Sequence, residues 1–317
     1  MQRYLIRRAL QFVPVLLGIA LVTFAIVRLA PGDPAALLVD TTVLSPEELA
    51  RFRADLGLDG SLPAQFARIV RELATGQLRS FRTGQPVLAV VGERLPVTAT
   101  LLVGALALAV ALGVPLGVIS AVRPYGRLDD GLTLLALGGV SLPSFWFALV
   151  LVYVFAGTLQ VLPASGMGPA TRLTYGVTDM APHFVLPILV LGAAVLPSIM
   201  RYTRSAMLEA LGQDYVRTAR GKGLPEIRVI GRHALGNALL SVVTVLGVLA
   251  PILIGATAVI ESVFAMPGVG RLAVEAALSR DYPTIMTLNF LTAALVLLSN
   301  VVVDVSYVIL DPRIRLD

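Results

Sequence analysis

The residue types that carry most protein chemistry are scarce in this chain. Of 317 residues none is cysteine and two are histidine, and Lys222 is the sole lysine. Without cysteine, disulfides, thiolate metal sites and thiol nucleophiles are excluded. A phosphate-binding loop of the ATPase type requires a lysine followed by serine or threonine after a glycine-rich turn. Lys222 is followed by Gly223, so the chain has no such loop with which to hydrolyse ATP. His183 and His233 fall on opposite sides of the bilayer in the topology derived below, and cannot share a metal. Ser165 beside Gly166 has no histidine suitably near, and the glycine reads as a turn residue. Within apolar stretches the clear acids are Glu261 and Asp304, both toward the ends of their stretches. Ion- and proton-coupled carriers place such groups near the bilayer midplane. Secondary transport is therefore the alternative reading, and Asp304 is expected to pair with an inner-leaflet arginine. Trp146, flanked by Phe145 and Phe147, reads as a packing residue rather than a pathway lining. No catalytic, metal or cofactor site is expected.

The elements that carry these residues follow from composition. Hydrophobic residues make up 56% of the chain and charged residues 14%, with a mean hydropathy of +0.84. Soluble domains hold about 45–50% apolar and about 25% charged residues, so the surface must face lipid. About 20 apolar residues cross a bilayer core of about 30 Å. Segments 9–29, 98–122, 132–158, 184–200, 239–264 and 284–310 meet or approach that length, which predicts an all-α integral membrane protein with about six transmembrane helices. The first span is too long for a cleavable signal and is expected to be retained. Pro14, Pro115, Pro143, Pro187, Pro197 and Pro251 lie inside the spans, where neighbouring helices can satisfy the backbone groups they free.

The net charge of +5 is not a nucleic-acid signal, because the arginines sit in the gaps between apolar stretches. With the N-terminus inside, segments 1–8, 123–131, 201–238 and 311–317 carry more than twice the basic-residue density of segments 31–97, 159–183 and 265–283. The positive-inside rule then puts both termini in the cytoplasm. The chain divides into residues 1–30, an extracytoplasmic segment 31–97, and a core 98–317 that contains the cytoplasmic loop 201–238.

Two connections read as folded. In segment 31–97, Ser45-Pro46-Glu47-Glu48 supplies an N-cap, a proline in the first turn and a capping-box glutamate. That predicts a helix to about Leu56, stopped at Gly57. A second amphipathic helix from Pro63 carries Phe66, Ile69, Val70 and Leu73 on one stripe and stops at Gly76. The segment is either an inert cap or a docking element. In loop 201–238 the charged residues would each cost roughly 2.5–3.5 kcal/mol at a helix centre in the bilayer, so the loop stays in the cytosol. Gln213 to Lys222 reads as a helix with Tyr215, Val216 and Ala219 on one side. Gly223 stands where a helix end needs positive φ, and Pro225 suits the first turn of a second helix carrying Ile227, Val229 and Ile230 on to His233. The result is a helix–glycine–helix hairpin beneath the membrane, or else a basic anchor with incidental helicity.

That hairpin resembles a known element. Arg217-Thr218-Ala219, three residues, Gly223, nine residues, then His233-Ala234-Leu235 has the spacing of the "EAA" motif in permease subunits of ATP-binding-cassette (ABC) importers. DYVRTARGKGL at 214–224 and RHALGNALL at 232–240 resemble the dipeptide, oligopeptide and nickel subfamily, first-permease type. So do RLAPGDP (28–34), LGLDGSLPAQF (56–66), SLPSFWF (141–147), PGVGRL (267–272), RDYP (280–283) and DPRIR (311–315). The resemblance spans nearly the whole chain. Three features depart from the pattern. Leu240-Ser241 stands where leucine-proline is usual, Arg217 and Thr218 open the triplet, and GQLRSF at 76–81 is less glycine-rich than usual.

The resemblance implies a type I ABC importer permease fold in the bacterial inner membrane. It implies uptake of dipeptides, oligopeptides or related solutes, with glutathione-like peptides and nickel chelates also within the family's range. Implied partners are a second homologous permease, one or two ATPase subunits that hold ATP and Mg, and an extracytoplasmic substrate-binding protein. By the same resemblance Asp214, Tyr215, Arg217, Thr218, Ala219, Arg220, Gly223, Leu224, His233 and Leu235 would couple to the ATPase, and no cofactor binds this chain.

Overall fold

A computed structural model describes residues 2–29, 35, 45–168 and 176–310. The helices are α1 (Gln2–Leu29), α2 (Pro46–Asp55), α3 (Leu62–Thr75), α4 (Val87–Val122), α5 (Arg127–Ser141), α6 (Ser144–Leu151), α7 (Val177–Leu211), α8 (Asp214–Gly221), α9 (Glu226–Arg228), α10 (Leu235–Val263), α11 (Val269–Leu278) and α12 (Tyr282–Leu310). The motif residues 30–34 and 311–315, and residues 36–44 of the segment expected outside the membrane, lie outside the described residues.

Among the described residues five helices are long and apolar enough to cross a bilayer, in α1, α4, α7, α10 and α12. The sixth expected span, 132–158, is interrupted. Pro143 has no N–H to donate and disfavours the helical region for the preceding residue. Leu142 accordingly sits at φ −89°, ψ 131°. The chain then restarts as α6 and continues in a π-helical turn, Val152–Thr158. Length and hydropathy alone could not locate that break. At 36 residues α4 is about 54 Å long at 1.5 Å per residue, well beyond a bilayer core. Residues 87–97, expected only as part of the outer segment, are its first turns.

Contacts divide the chain into two compact units. One holds residues up to Thr98 and Pro267–Leu298, the other Ala99–Met266 and the end of α12 from Ser299. In the first unit the capping box is present: the Ser45 N–H donates to Glu48 Oε2 at 2.9 Å and the Glu48 N–H to Ser45 Oγ at 3.3 Å. The Arg68 guanidinium ties α3 to the end of α2 by donating to Gly57 O at 2.7 Å, and Gln65 donates to Leu58 O at 2.8 Å. Phe24 of α1 meets Phe66 of α3, ring centroids 5.5 Å apart. The loop after Gly76 is anchored by buried Asp281, which caps α12. Its carboxylate accepts from Ser80 Oγ, the Phe81 N–H and Thr284 Oγ1. Ser80 within GQLRSF therefore has a defined partner. Val87 and Val91 of α4 pack on Leu272 and Leu288 of α11 and α12.

In the second unit α7 and α10 pack extensively on each other. The α4–α7 contact is close enough to need glycine. A Cβ added at Gly117 would lie 2.6 Å from Met200 O and 2.7 Å from Thr203 Cβ. Without a hydrophobic driving force between helices in lipid, such close backbone approach is a main source of association.

Candidate functional site: the helical hairpin after α7

The hairpin starts where α7 ends. After Gly212, Gln213 is extended (φ −75°, ψ 151°) and redirects the chain into α8. Asp214 occupies the first turn, where the helix dipole favours an anion. One face of α8 is buried: Val216 and Ala219 pack on Val229 of the second arm, with Leu211 and Leu224 around them. That amphipathic face makes the two arms one body instead of a loose basic loop.

Gly223 closes α8 at φ +74°. Its N–H donates to Arg220 O at 2.9 Å, and the Leu224 N–H donates to Ala219 O at 3.4 Å. These are the paired bonds of a Schellman motif, and Leu224 packing toward Ala219 is its usual hydrophobic accompaniment. A Cβ at Gly223 would meet nothing within 4 Å. Backbone conformation, not space, makes glycine necessary.

Across the turn, Arg220 and Glu226 pair in two-point fashion, Nη2 to Oε1 at 2.6 Å and Nε to Oε2 at 3.2 Å. The Arg220 side-chain bond holds the Glu226 carboxyl below its ordinary value, and Glu226 raises Arg220 in return. A third tie runs from Asn237 Nδ2 to Tyr215 Oη at 2.9 Å, with the same amide donating to His233 O at 3.1 Å.

The second arm is not a separate helix ending near His233. From Pro225 it runs through α9 and a π-helical turn, Val229–Ala234, directly into α10. Ala234 is fully buried against Ala121, Met207, Ala210 and Ala238, with Leu235 beside it. α10 is continuous through Leu240 and Ser241, where leucine-proline is usual, so hairpin and membrane helix are joined without a break.

The sequence-derived site residues are sorted by this geometry. Asp214, Tyr215, Arg217, Thr218 and Arg220 lie on the exposed face of α8. Ala219 and Leu224 turn inward, Gly223 makes the turn, and His233 and Leu235 lie at the junction with α10. Sequence reasoning missed Glu226 and Asn237, which lock the arms together. Their partners lie across a turn, where no helical period reports contact. Elsewhere His183 Nδ1 lies 3.1 Å from Ser165 O, and Glu261 is fully buried in the last turn of α10.

A family model described as "Binding-protein-dependent transport system inner membrane component" matches residues 113–316. A model of the N-terminal part of such membrane components matches residues 1–102. The oligopeptide transport system permease protein AppB of Bacillus subtilis (strain 168) is 39% identical over 99% of this chain and 100% of its own length. A peptide transport system permease protein of Brucella abortus (strain 2308) is 42% identical over 100% of both chains. Among solved structures, a chain of the MetNI methionine ABC transporter, in inward-facing conformations, matches with a TM-score of 0.56 at 18% identity. The match covers 72% of this chain and 99% of that one, which shows a shared fold. A membrane-spanning core and a rigid hairpin continuous with one of its helices, matched over nearly the whole sequence, place this chain in the family of binding-protein-dependent transport system inner membrane components.

Proposed function

We propose that this chain is one permease subunit of an ATP-driven importer for peptides or related small solutes, and that its hairpin docks in a cleft of a separate ATPase subunit. The observation that carries the reading is the build of the hairpin. Two arms packed around Val216, Ala219 and Val229, closed at Gly223 and continuous with α10, can pass a displacement from a partner to a membrane helix as one rigid body. A flexible loop would absorb the same displacement. ATP and Mg belong to the partner, and a second permease completes the pathway. The extracytoplasmic segment, with its capped helices and its anchored 76–86 loop, receives the substrate-binding protein. Both termini lie in the cytoplasm of a bacterium, beneath its inner membrane.

The absence of cysteine allows a direct test. Cysteines at Arg217 and Arg228, on the exposed side of the hairpin, should cross-link to the ATPase in the assembled importer, and ATP should change the yield. A cysteine at Thr83, in the outer loop, should not cross-link to it. Absence of ATPase cross-links at both hairpin positions, with uptake intact, would refute the docking role.

A further inference from the structure

A second polar site lies away from the hairpin, where α5 and α7 leave the apolar stretches. Residues 125–134 and 201–205 straddle the boundary between the basic loops and the spans. Here an open groove of about 640 Å³ is lined by Tyr125, Asp129, Asp130, Thr133, Arg201 and Arg204, with Leu134 and Ser205 completing the wall. Two of its four charges cancel. Arg204 donates to both carboxylate oxygens of buried Asp129, Nε to Oδ1 at 2.8 Å and Nη2 to Oδ2 at 2.6 Å. Ser120 Oγ and the Tyr125 N–H complete the shell of that carboxylate, and the Tyr125 ring lies 5.7 Å from the Arg204 guanidinium.

The other two charges, Arg201 and Asp130, make no ion pair among the described residues. Both are exposed at the membrane boundary, so together they offer a cation and an anion to a zwitterionic ligand. Thr133 and Ser205 add hydroxyl donors suited to phosphate oxygens. On the membrane side α5 presents exposed leucines, Leu134 at 69% and Leu135 at 75% exposure, an apolar wall for acyl chains. Guanidinium–phosphate bonds are among the stronger hydrogen bonds.

We infer that this groove binds a phospholipid with a primary-amine headgroup, its phosphate on Arg201 and its ammonium on Asp130, with an acyl chain along Leu134 and Leu135. The bound lipid would brace α5 against α7 next to the Asp129–Arg204 pair.

The test uses the assembled importer purified with lipid and examined by native mass spectrometry during stepwise delipidation. Phosphatidylethanolamine, phosphatidylglycerol and phosphatidylcholine are then returned at equal concentrations. The parent should retain phosphatidylethanolamine roughly tenfold better than the other two, about 1.4 kcal/mol. Arg201→Gln should lose that retention, and Asp130→Asn should lose the preference over phosphatidylglycerol while still binding lipid. Arg123→Gln, a neighbouring basic residue outside the groove, should change neither. Equal retention of all three lipids by the parent would overturn the inference, as would phosphatidylcholine binding as well as phosphatidylethanolamine. So would insensitivity to both Arg201→Gln and Asp130→Asn. Substrate uptake by the same parent preparation is scored separately, so failure of the permease reading is distinguishable from failure of the lipid site.

Discussion

Replacing Gly223 isolates the rigidity of the hairpin from every other property of the chain. The residue sits at φ +74°, and an added Cβ meets no atom within 4 Å. The penalty is therefore purely conformational. Left-handed backbone costs an ordinary L-residue roughly 1–2 kcal/mol, and a β-branched one more, because its side chain is already restricted at χ1. Asparagine tolerates this region best among the non-glycines. The expected order of damage is Val, then Ala, then Asn. To relax, the turn must give up the Gly223→Arg220 and Leu224→Ala219 bonds, withdraw Leu224 from Val216 and Val229, and separate Arg220 from Glu226. Of the long apolar helices only the end of α7, at Leu211, packs on this cluster, so insertion should survive. In vesicles containing all subunits, Gly223→Val should assemble near normally and lose most uptake. Its ATP hydrolysis should no longer respond to the loaded binding protein. Gly223→Asn should stay close to the parent. Gly212→Ala is the control: Gly212 has φ −79°, and its added Cβ would come no nearer than 3.5 Å to a neighbour. Uptake by Gly223→Val equal to the parent's would refute the rigid-body argument, as would equal damage from Asn and Val.

Other outcomes follow from the same geometry. Gly117→Val drives a branched side chain against Met200 O, a backbone atom that cannot swing aside; overpacking of this kind costs about 1–3 kcal/mol, so purified protein should melt lower, and an unchanged melting temperature would contradict the α4–α7 packing. Asp129 is held below the usual carboxylate range, chiefly by its bonds to Arg204 and then Ser120. Its folded pKa is depressed, so its stabilisation is present above the unfolded value of about 3.9 and is lost as pH falls below it. Melting temperature should therefore drop below about pH 4 in the parent, whereas Asp129→Asn should start lower at pH 7 and respond less to acid. Asp281→Asn weakens the acceptor shared by Ser80, Phe81 and Thr284, and should speed protease cleavage within 79–86 without altering ATPase docking. An impermeant thiol reagent should label a cysteine at Thr83 from outside, and one at Gln213 only after the membrane is opened; outside labelling at 213 would invert the orientation.

Much of this molecule is written locally. Membrane spans are legible because about 20 apolar residues in a row have few other uses. The Ser45 capping box and the stops at Gly57, Gly76 and Gly223 depend on residues within a few positions of each other. The spacing from Arg217 to Leu235 suffices to suggest a hairpin, because its inward face has helical period and its turn needs positive φ. What the linear order could not supply is the choice of partners across folds of the chain. Asp281 meeting Ser80, Arg204 meeting Asp129, Asn237 meeting Tyr215 and Gly117 meeting Met200 each join positions well apart in sequence. The break at Leu142–Pro143 and the π-helical turn from Val229 to Ala234 belong to the same class. Proline is tolerated in many membrane helices, and whether the ladder breaks or shifts depends on which neighbours accept the freed backbone groups. Local chemistry therefore determined the elements and the hairpin's turn, while packing alone decided which residues lock that hairpin to α10 and which carboxylate Arg204 meets.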